Sequence, residues 1–541
     1  MNRMFRKAIA VGITAAVAIG SFTVASAQDA AYQSEKLNNL HFVEAVKAIK
    51  PFEQVTTNDC VVGKEDGKNI LYAASSGKPA SFNVYDMDNM KLLRTYPLTG
   101  TSAIEHNIDK DGNVYILTST PAYLYRYSPV TKEVENLGSI LGNGNAYQSC
   151  FDEEGNLYMG VYNSGSVIKY DPKTKKFTDF GQVHPNNPYV RSLSYYNGFL
   201  YAGSNGTGNA VMVKINPKNG EKKVIEVPIR PEYYTEVTNV YAQTVVGNKI
   251  ITYGAAGKGN NVWMIFDPEK DEYTDKVFKN AGGGLYASPE KDGKTYLMFD
   301  GQIQELDLET LETTPTGIKT TFTNRKSWWV DFEGRDDGFE SKKIQTITGG
   351  DEMKGGDLSM QHIVTGPDDK IYAGAYLGSK GIEYDTKTGE TRYFPMGQTE
   401  NIKCIDDKLY FGVYAEGDVR VFDPAEEVSN TNPKKLFTIK NDQDRPYIID
   451  DAGDYIIVGS IATYGKVGGA LSIMNKKTGE YEVYRNVVKD QSIVGLAYKD
   501  GIIYGSTTTS GGLGIEYPEK KAKMFMFDLE KREKIKEWIP E

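Results

Sequence analysis

The sequence contains few cysteine, histidine and tryptophan residues. Its 541 residues include three Cys, four His and four Trp. Cys60, Cys150 and Cys404 are too few for a disulfide framework, so we expect three small buried side chains, with one disulfide plus a free thiol as the alternative. Neither a paired-cysteine zinc motif nor His-Glu-x-x-His occurs. The residues themselves therefore predict no metal site and no cofactor.

After residue 27 the chain has no apolar run long enough to cross a membrane, so we expect no transmembrane anchor. Before that point, Arg3, Arg6 and Lys7 precede a short apolar stretch, and an A-x-A sequence follows at residues 25–27. This order is typical of a secretory signal peptide, which we predict at residues 1–27. The predicted location is therefore secreted, outside the cytoplasmic membrane.

The sequence also lacks an excess of positive charge. Lys and Arg number 62 against 72 Asp and Glu, for a formal net charge of −10. All charged residues of the predicted signal peptide are basic, so its removal leaves the chain more acidic. An acidic protein without a basic block is a poor candidate for binding nucleic acid or anionic membrane surfaces.

Signature motifs of common enzyme classes are missing as well. The sequence has no G-x-S-x-G nucleophile elbow, no Walker phosphate loop, and no G-x-G-x-x-G between a strand and a helix. Glycine-rich pieces such as residues 511–514 are interpreted as loops between strands. No reaction class follows from a local motif.

Glycine and tyrosine are abundant. The chain has 55 Gly, and its 37 Tyr exceed its 21 Phe. Glycine turns combined with aromatic and β-branched segments are typical of an all-β protein. The exception is residues 35–50, where apolar residues recur every third position and predict a short helix. We place this N-terminal helical segment at residues 28–57.

One unit recurs along nearly the whole chain, which indicates a repeat architecture. A turn position can be numbered in ten copies of the unit: Asp86, Ser128, Asp171, Asn216, Asp267, Asp307, Asp385, Asp423, Asn475 and Asp528. Eight of the nine gaps between these positions fall between 38 and 53 residues, and the ninth, of 78 residues, spans about two periods. Residues 321–354 are therefore predicted to be a degenerate repeat or an insertion.

Each unit has the turn chemistry of four short antiparallel strands. Asp-Gly or Glu-Gly closes a tight turn because glycine accepts a positive φ, and a proline after Tyr-Asp ends a strand because it has no N–H to donate. A four-stranded unit of about 40–50 residues is typical of a β-propeller blade.

We predict blades 1–6 in residues 58–320 and further blades in residues 355–541, about ten to eleven in all. Because one ring usually closes with roughly four to eight blades, this number favours two rings. One oversized ring is the alternative.

The turns at Tyr170-Asp-Pro-Lys-Thr and Tyr384-Asp-Thr-Lys-Thr-Gly resemble those of the YVTN, NHL and gluconolactonase-like bacterial propellers, and more loosely those of quinoprotein propellers. The resemblance covers about residues 58–541. It implies a fold rather than a reaction, because such turns serve lactonases, lyases and plain binding proteins. Gluconolactonase-like enzymes hold a divalent metal on scattered carboxylates and Asn side chains. No residue here can be matched to those ligands, so a divalent metal is unsupported.

A large polar residue recurs ten positions before the second-strand tyrosine of five units: Glu105, Gln148, Arg191, Gln243 and His362. Propellers bind ligands at the mouth of the central channel, where the innermost strands begin. We interpret these residues, with the adjacent His106, as a polar ring at one channel mouth. The alternative is that they satisfy backbone groups of the inner strands or buried waters.

Two further patches are candidates for ligand binding. Arg325, Trp328 and Trp329 lie in the degenerate repeat, where tryptophan faces could stack on sugar rings and arginine could pair with carboxylates. This combination suits an acidic polysaccharide, and the alternative is one buried Trp beside a charged surface turn. Arg445 and Tyr447 form the second patch, at the start of another predicted inner strand.

Two functional hypotheses from different classes follow. The first is a secreted binding or scaffold propeller that takes a carbohydrate or another small extracellular ligand, or that docks on other surface proteins. The second is a polysaccharide-degrading enzyme, a lyase rather than a hydrolase, in which a Tyr or His removes a proton next to a uronate carboxylate that an Arg neutralises. Its catalytic candidates are His106, Tyr189, Arg191 and His362. A metal-dependent lactonase is a third hypothesis.

Overall fold

The computed structural model describes residues 53–55, 57–185, 187–204, 210–256, 261–279, 284–319, 353–358, 360–376, 378–512 and 517–540. Within these ranges there is no α-helix, and one 3₁₀ turn spans Pro367–Asp369. The predicted signal peptide and most of both the N-terminal helical segment and the degenerate repeat lie outside the described residues. No helix in the described ranges is long and apolar enough to cross a membrane.

Within the described ranges, and apart from one pair of two-residue strands, the strands form nine four-stranded antiparallel sheets and one three-stranded sheet, each built from strands that are consecutive in the chain. A single pairing of Asn145 with Ser119 joins two of the four-stranded sheets. These sheets are the blades of a β-propeller fold, and the predicted all-β fold class is confirmed.

The first five blades follow a short strand, β1 (Glu53–Gln54). Blade 1 comprises β2 (Thr57–Glu65), β3 (Lys68–Ser75), β4 (Ala80–Asp86) and β5 (Lys91–Leu98). Blade 2 comprises β6 (Ser102–Ile108), β7 (Val114–Ser119), β8 (Tyr123–Ser128) and β9 (Glu133–Ser139). Blade 3 comprises β10 (Asn145–Phe151), β11 (Leu157–Tyr162), β12 (Ser166–Asp171) and β13 (Lys176–Gln182). Blade 4 comprises β14 (Val190–Tyr196), β15 (Phe199–Ser204), β16 (Val211–Ile215) and β17 (Lys222–Glu226). Blade 5 comprises β18 (Asn239–Val246), β19 (Lys249–Ala255), β20 (Val262–Asp267) and β21 (Glu272–Lys279).

Blade 6 is three-stranded, with β22 (Lys294–Phe299), β23 (Gln302–Asp307) and β24 (Thr313–Lys319). A short strand, β25 (Gly356–Asp357), pairs with β1. Blade 7 comprises β26 (Met360–Thr365), β27 (Ile371–Ala375), β28 (Lys380–Tyr384) and β29 (Thr391–Pro395). Blade 8 comprises β30 (Gln398–Ile405), β31 (Lys408–Tyr414), β32 (Asp418–Phe422) and β33 (Lys434–Thr438). Blade 9 comprises β34 (Gln443–Ala452), β35 (Tyr455–Ala462), β36 (Ala470–Asn475) and β37 (Tyr481–Arg485). Blade 10 comprises β38 (Ser492–Lys499), β39 (Ile502–Thr508), β40 (Met524–Asp528) and β41 (Glu533–Trp538).

All ten numbered turn residues lie at, or directly after, the end of the penultimate strand of a blade. Asp171 shows why an acidic residue is useful there. One of its carboxylate oxygens accepts a hydrogen bond from the backbone N–H of Lys173 at 2.8 Å, and the other accepts one from the Thr174 hydroxyl at 2.9 Å. These bonds satisfy the Lys173 N–H, which the turn leaves out of the sheet ladder, and fix the Thr174 side chain in the turn.

The core is a series of apolar layers between neighbouring blades. Phe82 and Tyr127 pack between blades 1 and 2, and Phe394 and Phe422 stack between blades 7 and 8 with ring centroids 4.1 Å apart. Successive first strands lie side by side from β2 to β18 and again from β26 to β38. We call blades 1–6 the N-terminal array and blades 7–10 the C-terminal array.

Contacts join blade 1 to the segment before blade 7, and the N-terminal array to the C-terminal array. The Asn83 amide of blade 1 donates to the Lys354 carbonyl at 3.0 Å and accepts from the Lys354 N–H at 3.2 Å, just before β25. Lys466 of the C-terminal array forms an ion pair with Glu236 of the N-terminal array. Residues from different arrays can therefore share one site.

Candidate functional site

The first strand of every four-stranded blade is irregular near its start. In all nine blades the pairing between the first and second strands shifts register there. In blade 4, for example, Val190 pairs with Ser204 and Ser192 pairs with Gly203, which leaves Arg191 as the extra residue. A β-bulge of this kind turns a side chain away from the regular alternation of the strand.

Three such residues in neighbouring blades contact one another. Tyr147, Arg191 and Tyr241 lie at the register shifts of β10, β14 and β18. The guanidinium carbon of Arg191 is 4.8 Å from the ring centre of Tyr147 and 4.1 Å from that of Tyr241. Cation–π contacts with both rings therefore hold the Arg191 side chain, each contributing about 2 kcal/mol when desolvated.

Further tyrosine rings connect these three residues to the C-terminal array. The Tyr189 ring centroid lies 4.9 Å from that of Tyr147 and 6.5 Å from that of Tyr464. The Tyr414 hydroxyl donates a hydrogen bond to the Tyr464 hydroxyl at 2.8 Å, and the guanidinium carbon of Arg445 lies 4.2 Å from the Tyr414 ring centre. We call this set the arginine–tyrosine cluster: Tyr147, Tyr189, Arg191, Tyr241, Tyr414, Arg445 and Tyr464.

The two arginines of the cluster differ in their charge partners. The charge partner of Arg445 is the buried Glu400, since the Arg445 Nε lies 3.6 Å from an oxygen of its carboxylate. Arg191 is only 7% exposed, its Nε is buried without a hydrogen-bond partner, and its side chain forms no ion pair with any described residue. Burying a charge without a partner costs several kcal/mol. Arg191 is thus a buried cation for which the described residues supply no counterion.

Burial also sets the protonation state of the tyrosines. It raises the pKa of Tyr189 and of Tyr464 well above the ordinary value, and it raises the pKa of Tyr414 to about 12. The positive charge of Arg191 opposes the rise at Tyr189 without cancelling it. Burial therefore disfavours the tyrosinate form of all three side chains, and their protonated hydroxyls can donate hydrogen bonds at neutral pH.

The other residues of the predicted polar ring are hydrogen-bonded to inner strands. Gln148 accepts from the Gln243 N–H at 3.0 Å and donates to the Gln243 carbonyl, so its side chain reaches from blade 3 to blade 5. Glu105 accepts from the N–H and from the hydroxyl of Ser149, each at 2.9 Å. These bonds satisfy inner-strand polar groups. Gln148 and Gln243 also line a cavity of about 380 Å³ together with Tyr286, so their binding role stays a prediction.

The histidine candidates lie in different places. His106 is fully buried between blades 1 and 2, where its backbone N–H donates to Asp59 at 2.7 Å and its ring stacks on Phe82. His362 is half-buried on β26; burial lowers its pKa, and the negative charge of Glu400 opposes that shift. His362 and Arg445 therefore both lie near Glu400.

The remaining candidates are placed as follows. Tyr447 is half-buried at a second register shift in β34, two residues after Arg445. Arg325, Trp328 and Trp329 lie outside the described residues. No disulfide joins Cys60, Cys150 and Cys404, and the prediction of three buried side chains is correct for Cys60 but wrong for Cys150 and Cys404, which are half-buried. In the described part of the chain, no three His, Cys, Asp or Glu side chains are grouped as metal ligands would be.

The structure brings together Tyr189, Arg191 and Arg445 from the sequence candidates. It adds five residues that the sequence analysis did not select: Tyr147, Tyr241, Glu400, Tyr414 and Tyr464. A signal for two of them is visible in the sequence, because Tyr147 directly precedes Gln148 and Tyr241 stands two residues before Gln243. The other three depend on contacts within the C-terminal array or between arrays, which no local pattern records.

No protein-family model and no curated protein matches the chain. Among solved structures, it is similar to the extracellular domain of a putative one-component system of B. thetaiotaomicron, with 12% identity over 87% of this chain and 76% of that chain and a TM-score of 0.28. It is also similar to a streptogramin B lyase, with 10% identity over 57% and 89% of the two chains and a TM-score of 0.32. A virginiamycin B lyase of Staphylococcus aureus is similar as well, with 13% identity over 67% of this chain and 91% of that chain and a TM-score of 0.23. Likenesses at these TM-scores carry no functional argument, and the repeat family named from the sequence stays a prediction.

Proposed function

We propose that the chain is a secreted binding propeller that takes a carbohydrate ligand at the arginine–tyrosine cluster. The observation that carries the proposal is the convergence of five tyrosines and two arginines from both arrays on one place. Tyrosine offers an apolar ring face that packs on a sugar ring and a hydroxyl that bonds sugar oxygens. The signal peptide predicted at residues 1–27 supports a location where such ligands occur.

Binding is favoured over β-elimination because of the tyrosine protonation states. A lyase needs a base beside the arginine that neutralises the uronate carboxylate. Among the sequence candidates, Tyr189 lies near Arg191, because its ring packs on Tyr147, which contacts Arg191, and burial raises the pKa of Tyr189 well above the ordinary value. Tyr189 would have to lose its own proton before it could act as the base, and its burial opposes that loss, so its position suits ligand orientation better than proton abstraction.

The proposal predicts that the protein without its signal peptide binds oligosaccharides and that Tyr241→Ala weakens this binding by at least about tenfold, since it removes one ring face. Isothermal titration calorimetry against a panel of neutral and acidic oligosaccharides measures the effect. Tyr393→Ala is the matched control, because Tyr393 is 48% exposed on blade 7. Equal loss in both variants, or binding that is unchanged in Tyr241→Ala, would contradict the proposed site.

The same mixtures report on the enzymatic alternative. Ultraviolet absorbance of unsaturated uronates would show β-elimination, and new reducing ends without that absorbance would show hydrolysis. Either signal, abolished by Tyr189→Phe or His362→Gln, would replace the binding function by catalysis.

A further inference from the structure

Four arginines in the described residues lie over aromatic rings, and they differ in one respect. Arg392 lies over Phe422 and pairs with Glu383, Arg445 lies over Tyr414 and pairs with Glu400, and Arg532 lies over Tyr455 and pairs with Glu482. Arg191 alone among these four contacts aromatic rings without forming an ion pair with a carboxylate of the described residues. It is also the most deeply buried of the four, being 7% exposed.

This difference is costly unless something else supplies the negative charge. Contacts with two ring faces offset only part of the desolvation cost of a buried cation, because a ring carries no net negative charge. The surrounding side chains are neutral tyrosines, because burial raises the pKa of Tyr147 and Tyr189. The environment of Arg191 thus carries one positive charge, ring faces and hydroxyl donors.

We infer that the ligand of the cluster carries a carboxylate and that this carboxylate pairs with Arg191. The inference rests on the proposed function for the site and narrows its ligand to acidic saccharides of the uronate class. A planar guanidinium matches a carboxylate with two parallel hydrogen bonds, and one cation balances one negative charge. Arg445 does not compete for the carboxylate, because Glu400 already neutralises it.

The test compares each uronate oligosaccharide with its methyl ester, which has the same sugar rings and no charge. We expect the wild-type protein to bind the acid roughly ten- to hundredfold more tightly, as a charge-assisted hydrogen bond in a buried site requires. Arg191→Gln should bind the acid and the ester equally. Arg532→Gln is the matched control, because that arginine also lies over a tyrosine, at 4.8 Å, but outside the cluster. It should keep the preference for the acid.

A second readout does not depend on the ligand. Removing an unpaired buried charge relieves its desolvation cost, so Arg191→Met should unfold at the same temperature as the wild type or higher in the absence of ligand. Arg532→Met should unfold at a lower temperature, since it breaks an ion pair. A large loss of stability in Arg191→Met alone would show a purely structural cation and overturn the inference.

The probes separate this inference from the proposed function. Equal binding of acid and ester by the wild type would keep carbohydrate binding and overturn the role of Arg191. Arg191-dependent binding of an acetylated dipeptide with a free carboxylate, without binding of any saccharide, would keep the carboxylate site and overturn the carbohydrate. A preference for sulfated over carboxylated sugars, or no binding of any probe, would overturn the inference.

Discussion

At the scale of single residues, a side-chain oxygen of the recurring turn residue accepts a backbone N–H in each blade, and in seven of the ten blades that residue is Asp. Asp86 is the strongest example, because its carboxylate accepts hydrogen bonds from the Asn89 side chain at 2.8 Å and backbone at 3.0 Å and from Lys68 at 2.9 Å. These bonds, led by the one from the Asn89 side chain, lower the pKa of Asp86 from 3.8 to about 2. The ionised carboxylate is therefore part of the folded turn.

The lowered pKa predicts an acid dependence with a defined sign. Since the folded state binds the Asp86 proton less readily than the unfolded chain, its stabilising effect is complete above pH 3.8 and is lost as the pH falls towards about 2. Asp86→Asn should lower the unfolding temperature at neutral pH and flatten its fall over that acidic window. Differential scanning calorimetry at several pH values measures both. Asp111→Asn, at an exposed turn residue, is the control and should behave as the wild type. A wild-type slope in Asp86→Asn would contradict this account.

At the scale of elements, the loop between β11 and β12 packs closely on the loop before blade 4. Gly165 has φ +64°, and a Cβ at this position would lie 1.9 Å from the Asn187 carbonyl oxygen. Gly155, in the turn between β10 and β11, has φ +86° but open space around it. Comparing substitutions at the two glycines thus distinguishes the effect of backbone strain, present at both, from that of a steric clash, present only at Gly165.

Gly165→Ala is expected to cost about 2–4 kcal/mol of unfolding free energy, because strain and a backbone clash combine. Gly155→Ala should cost only about 1–2 kcal/mol, the strain alone. Urea denaturation followed by tyrosine fluorescence compares the two variants. Equal costs would mean that the two loops are not packed as described.

Differences in hairpin length explain why the sequence pattern located the inner strands but not every residue of the site. Counting ten residues back from a tyrosine assumes that every first hairpin has one length. Tyr158 pairs with Cys150, eight residues earlier, whereas Tyr201 pairs with Ser194, seven earlier, and Tyr253 with Ala242, eleven earlier. The count therefore reaches the bulge in blade 4 but stops two residues short of it in blade 5, at Gln243 instead of Tyr241. Hairpin length depends on strand pairing, which a single sequence does not reveal.

At the scale of the whole molecule, the arginine–tyrosine cluster is also a junction between arrays. The ion pair of Lys466 with Glu236 is partly exposed, and such pairs contribute about 0–1 kcal/mol. The Tyr464 ring contacts Tyr189 across the junction and accepts a hydrogen bond from Tyr414. The aromatic contact is thus a second coupling between the arrays, beside the ion pair.

Tyr464→Ala should therefore raise amide hydrogen exchange on both sides of the junction, at the start of β14 and the end of β31. Tyr464→Phe keeps the ring and loses only the hydroxyl, so its exchange should stay close to that of the wild type. Hydrogen–deuterium exchange with peptide mass analysis resolves these strands. Increased exchange confined to β31 would show that the arrays are not coupled through this ring.

The sequence by itself determined the all-β fold, the repeat period and the position of every blade turn, because these depend on local chemistry: glycine at positive φ, proline without an N–H, and carboxylates that accept turn N–H groups. Only the tertiary structure decided which side chains meet. Register shifts place Tyr147, Arg191 and Tyr241 together, and Tyr464 reaches them from a strand pair more than 200 residues away. Such contacts follow from how blades pack in space, and packing between distant segments leaves no local pattern in the chain.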